Sequence, residues 1–142
     1  MIPIRPILLR PFVAYNADHK KAFKLAAKAF LRGLASALMD RPLKEILSKP
    51  HTGYDLRWNE GGIAVSGEAT LHSDDLYVQV SESYIAGRPD VLYRSCQSST
   101  DYCGNQNNTA DFRTLTTQEG QDRFINHCKA LQAAEQARRR AP

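Results

Sequence analysis

The sequence predicts an α+β fold: an antiparallel three- to four-stranded meander with N- and C-terminal helices packed on one face. Three observations predict it. Apolar residues recur at three- and four-residue steps in the first third of the chain. The period then drops to two between Tyr54 and Val80. Finally, the capping-box pattern Thr116-Thr117-Gln118-Glu119 opens a second helical stretch.

A length of 142 residues predicts a single domain, 1–142. A chain of this size buries roughly two-thirds of its unfolded surface and needs no metal or disulfide to fold. The segment 1–15 is apolar, but Arg5 and Arg10 interrupt it and Pro3, Pro6 and Pro11 forbid a regular helix. Its longest aliphatic run, Ile7-Leu8-Leu9, is too short for a signal peptide. We expect an extended N-terminal segment running along the domain. No stretch approaches membrane-spanning length, so the expected location is the cytoplasm and no membrane partner is expected.

The first helix is expected from a cap at Asn16 or Asp18 to about Met39, with Phe23, Ala27, Phe30, Leu34 and Leu38 on its apolar face. Asp40 then caps a short second helix with Pro42 in its first turn. Tyr54, Leu56 and Trp58 alternate with Asp55, Arg57 and Asn59. A two-residue Gly61-Gly62 turn sets Trp58 opposite Val65 and Asp55 opposite Glu68. A four-residue turn around Ser73-Asp74-Asp75 pairs Leu71 with Leu76 and Ala69 with Val78. Both registers gather the large apolar side chains on one face and leave the other wet. Val91 to Arg94 reads as a fourth strand, 95–111 as a long polar loop, and 136–142 as a frayed basic tail.

Charge is segregated along the chain. Residues 1–53 hold ten Lys/Arg against three Asp/Glu, residues 54–117 hold four against nine, and residues 118–142 hold five against three. Lys20, Lys24, Lys28 and Arg32 step by four up the first helix, with Lys21 alongside and no acid between Asp18 and Asp40. Like charges at this spacing cost roughly 0.2–0.5 kcal/mol per pair. Three compensators are open: solvent and salt, a nucleic-acid backbone, or an acidic protein surface, a second copy of the chain included. The terminal Arg138-Arg139-Arg140 favours nucleic acid, whereas the acidic sheet disfavours it.

Two further surfaces are candidates. Asp55, Arg57, Glu68, Tyr77 and Gln79 lie on the outer sheet face, as a solvated salt-bridge cluster or a docking face for a basic partner. Arg94, Tyr102, Asn105 and Asn107 offer hydrogen-bonding contacts in and beside the 95–111 loop. Catalytic signatures are weak. Cys96, Cys103, His127 and Cys128 lack zinc-site spacing. His127 and Cys128 are neighbours on a helix and point about 100° apart, which rules out a dyad. No phosphate-binding glycine motif occurs. We therefore expect no cofactor, no metal and no catalytic residue, and an enzyme with its site in the 95–111 loop stands behind the binding readings.

Gly61 to His72, Leu76 to Val80 and Leu92 to Cys96 resemble segments of small uncharacterised proteins carried by bacterial phages, plasmids and integrated elements. The resemblance covers the middle of the chain and assigns no residue a role. It implies a regulatory protein that occupies a partner surface, as inhibitors of host defence systems such as CRISPR effectors do.

Overall fold

The computed structural model describes residues 17–40, 53–59, 68–81, 91–98, 106–111 and 114–141, with the backbone alone at 17–23, 26 and 116. The expected N-terminal segment, the short helix after Asp40, the Gly61-Gly62 turn, and Tyr102, Cys103 and Asn105 lie outside these residues.

Helix α1 spans Ala17–Met39. Ala27, Phe30, Leu31 and Leu34 are fully buried, and Leu38 packs at the margin of the same cluster. Asp40 ends the helix in the left-handed conformation, φ 51°, with its N–H on the Ala37 carbonyl at 3.4 Å. A polar side chain tolerates that geometry better than a branched one. Gly53, φ 86°, leads into the sheet, where a side chain would be strained.

The sheet has five strands: β1 (Asp55–Asn59), β2 (Glu68–His72), β3 (Leu76–Ser81), β4 (Val91–Ser95) and β5 (Asn108–Ala110). They follow one another in space as in sequence, each antiparallel to the next. The α+β class and the two flanking helices are as expected. β5 is an addition within the segment read as loop. Asn-Thr-Ala has no apolar period, and its pairing with β4 is carried by backbone bonds, which composition does not advertise.

Both registers differ from expectation by an even number of residues, so each side chain keeps its face. Trp58 stands opposite Ala69 and Leu56 opposite Leu71, a shift of four. This register avoids two facing carboxylates: Asp55 meets His72, and Glu68 accepts a bond from Asn59 Nδ2 at 3.3 Å. Between β2 and β3 the shift is two: Leu71 pairs with Val78, and Ser73 N donates to the Leu76 carbonyl at 2.8 Å. The Ser73 hydroxyl closes the turn from inside, accepting from Leu76 N at 3.1 Å and donating to Asp75 Oδ1 at 2.9 Å.

Helix α2 spans Gln118–Arg140. Its N-cap is Thr117, one residue later than the capping box predicts, and Thr117 Oγ1 accepts from Gly120 N at 3.0 Å. The shift has a steric cause. Gly120 presses on the 3-10 turn Thr114–Thr116, so closely that a Cβ there would sit 1.7 Å from the Thr114 carbonyl oxygen. Glycine is therefore required at the third position of the helix, and the Glu119 of the capping pattern lands one position early.

α1 lies over β1 and β2, and α2 over β3 and β4. The core joins them through aromatic contacts. Phe30 stacks with Phe124 at 6.1 Å, and Tyr93 meets Phe124 edge to face at 4.9 Å. Each such buried side chain contributes on the order of 1.5–3 kcal/mol.

Candidate functional site: the basic face of the first helix

Helix α1 carries the cation row at four-residue steps along one side. Lys20 and Lys21 lie in the helix, but their side chains are outside the described residues. Lys24 sits over the Trp58 ring, Nζ 5.7 Å from its centroid, within cation–π range. Lys28 and Arg32 are half-buried. Ion pairs among the described residues join Arg57 to Asp55, Lys129 to Asp40, and Arg138 and Arg139 to Glu135. None of these pairs uses Lys28 or Arg32. Beside them, Leu25 is 62% exposed, the one large hydrophobic so placed among the described residues, and Ala29 is exposed one turn on. The face is thus mixed: two cations flanking a small apolar surface.

The C-terminal arginines have a different fate. The tail expected to fray is helical to Arg140. Glu135, whose side chain is 2% exposed, takes Arg138 Nη2 at 2.6 Å and Arg138 Nε at 2.9 Å, and Arg139 Nε at 3.3 Å. These donors hold the Glu135 carboxyl below the usual range, the Arg138 hydrogen bond first. Arg139 Nη2 reaches the carbonyls of Asp74 at 2.5 Å, Gln97 at 2.7 Å and Cys96 at 3.3 Å. It fastens the end of α2 to the β2–β3 turn and to the end of β4. Two turns and one turn earlier, Gln132 and Gln136 donate to the two oxygens of buried Asp75 at 3.0 and 2.9 Å, and Gln132 also donates to Tyr54 Oη at 2.8 Å. Sequence reasoning missed this network, although Glu135, Arg138 and Arg139 have the three- and four-residue spacing of helical ion pairs.

The outer sheet face is not uniformly wet. Thr70, His72, Tyr77 and Arg94 are buried there. The Arg94 guanidinium lies 4.3 Å from the Tyr77 ring centroid, and His72 meets Tyr77 edge-on at 5.1 Å. His72 Nε2 donates to the Ser98 carbonyl at 3.0 Å, and Arg94 Nη1 to Asn107 Oδ1 at 3.3 Å. Each side chain satisfies one nitrogen in this way, while His72 Nδ1 and Arg94 Nε are buried without a hydrogen bond, and the stacking of the guanidinium on the Tyr77 ring offsets part of that cost. Of the expected docking face, Tyr77 is therefore inside, Gln79 and Glu68 are half-buried, and Asp55 and Arg57 are exposed and paired to each other at 2.6 Å. Of the expected loop contacts, Arg94 is buried and Asn107 exposed.

Nucleophile chemistry finds no support in the described thiols. Cys128 lies in the core, and burial pushes its thiol far up. Cys96 is buried with Sγ 3.3 Å from the Ser73 carbonyl. His127 is exposed, with Nδ1 bonded to the Tyr93 hydroxyl at 2.6 Å rather than facing a thiol. No three of the described His, Cys, Asp and Glu residues gather as a metal site, and no described helix is long and apolar enough to cross a membrane.

These features define an α+β protein with a basic helical face beside a meander sheet. No family model, no curated protein and no solved structure matches the chain.

Proposed function

We propose that this is a non-enzymatic binding protein that occupies an acidic protein surface with the outer side of α1. One observation carries the reading: Lys28 and Arg32 stand four residues apart with no carboxylate partner among the described residues, while Arg138 and Arg139 are consumed by Glu135 and backbone carbonyls. Exposed Leu25 beside the cations favours a protein partner over a nucleic-acid backbone, since phosphate offers an apolar side chain nothing to bury. Engagement of Arg138 and Arg139 by Glu135 weakens, without removing, the support that the terminal arginines lend the nucleic-acid alternative. The resemblance to mobile-element proteins adds a setting for such a blocker, a host defence complex whose surface it covers.

The test is capture from a bacterial lysate at low and high salt, before and after nuclease treatment. A protein retained by the wild type at low salt, released at high salt, lost with K28E/R32E and unaffected by nuclease agrees with the proposal. Capture indifferent to K28E/R32E contradicts it, and retention abolished by nuclease moves the function to nucleic-acid binding.

A further inference from the structure

We propose that the buried Glu135 carboxylate and the backbone carbonyls of Asp74, Cys96 and Gln97 form a guanidinium-binding site, of which Arg139 is the tethered occupant. The ligand class is an alkylguanidinium, the terminal group of an arginine side chain, and the site accepts a free one once its own is removed. This goes beyond the reading of α1 and uses none of its residues.

Four acceptors from three parts of the fold converge on one side chain. Arg139 Nη2 lies 2.5 Å from the Asp74 carbonyl in the β2–β3 turn, and 2.7 and 3.3 Å from the Gln97 and Cys96 carbonyls just after β4. Arg139 Nε donates to Glu135 Oε1 at 3.3 Å, one turn back in α2.

The sheet and its turn place these oxygens independently of Arg139. Pairing of Leu76 with Ser95 brings the turn beside the end of β4, and Cys96 N donates to the Asp75 carbonyl at 3.1 Å. His72 Nε2 holds the Ser98 carbonyl at 3.0 Å. Arg138 grips the same Glu135 carboxylate and keeps it in position. The oxygens are therefore preorganised, and truncating Arg139 leaves the site standing. The Arg139 side chain is 35% exposed, so its removal beyond Cβ opens the site to solvent and vacates the space of one ethylguanidinium.

The donor set selects that group. Glu135, 2% exposed, supplies a buried negative charge, and the carbonyls supply three more oxygens. A planar fork spans both, with one nitrogen on the carboxylate and another, carrying two hydrogens, on the carbonyls. An ammonium is a point charge and serves only one side at a time. A urea of similar shape lacks the charge.

Titration of the full R139A chain with ethylguanidinium tests the proposal, read by amide chemical shifts and by the thermal midpoint, with the wild type treated in parallel. R139A binds the probe at millimolar concentration, with shifts centred on residues 73–76, 96–98 and 135–139. Its midpoint rises by about 5 °C at ten times the dissociation constant. Ethylammonium binds R139A about tenfold more weakly or worse, and ethylurea moves neither readout. R139A/E135Q loses about tenfold or more of the affinity for ethylguanidinium. The wild type, filled by a tethered group of high effective concentration, also binds about tenfold more weakly or worse. The proposal is overturned by an R139A response no larger than that of the wild type. It is overturned equally by ethylammonium or ethylurea acting as strongly as ethylguanidinium. Chemical shifts report binding even where R139A is less stable. Lys28 and Arg32 take no part, so failure here is distinguishable from failure of the partner-binding reading.

Discussion

Arg138 binds the Glu135 carboxylate across one turn of α2, Nη2 to Oε1 at 2.6 Å. The contact makes two of the three terminal arginines a brace at the surface of the fold, since Arg139 shares the same carboxylate and reaches on to three carbonyls. Charge counted along the sequence therefore overstates what Arg138 and Arg139 offer a partner, since both share one carboxylate of the fold.

The brace makes stability sensitive to acid. Glu135 titrates below its ordinary value when folded, so its contribution is present above the unfolded value of about 4.3 and is lost as pH falls through the folded one. Urea midpoints measured from pH 7 down to pH 3 should fall less steeply for E135Q than for the wild type. Equal slopes would mean that Glu135 is not held by these arginines.

Arg139→Ala removes the donor to the carbonyls of Asp74, Cys96 and Gln97. A loss of about 1–3 kcal/mol in chemical unfolding is expected. Hydrogen exchange should rise first at the β2–β3 turn, around Ser73 to Leu76. Uniform loosening would contradict the local role.

Gly120→Ala inverts the usual rule. Alanine normally stabilises a helix relative to glycine by roughly 0.5–1 kcal/mol. Here a Cβ would meet the Thr114 carbonyl at 1.7 Å, so the 3-10 turn must move away. We expect a loss of about 2–3 kcal/mol. A melting point unchanged or raised would show that Thr114 does not abut the helix.

Burial raises the Cys128 thiol, so its contribution is present below the ordinary thiol value of about 8.5 and lost as pH rises above it. C128A should lessen the fall in urea midpoint between pH 7 and pH 10. An unchanged fall would place the alkaline sensitivity elsewhere.

The legible parts of this chain were those written as apolar period. Phe30 and Leu34 marked α1, and Leu56, Leu71, Val78 and Val80 marked the helix-facing side of the sheet. Registers were less legible, because even slips leave every side chain on its face and the choice fell to pairs such as Asp55 with His72. The outer face misled because Tyr77 and Arg94 read as surface residues until they stack on each other. β5 left no side-chain signal at all. For the candidate site, the four-residue step of Lys24, Lys28 and Arg32 was plain in the sequence. Leu25 stood outside the apolar face formed by Ala27, Phe30 and Leu34, and that was its one sign of exposure.

On the function proposed above, Lys28 and Arg32 of α1 serve a partner rather than this fold. The thermal midpoint of K28Q/R32Q, against the wild type in low salt, tests it most directly. The expected midpoint is equal to that of the wild type or higher, because a repulsive pair at four-residue spacing is removed. A fall of about 4 °C or more, equivalent to about 1 kcal/mol for a chain of this size, would show that the fold already uses these charges and would contradict it.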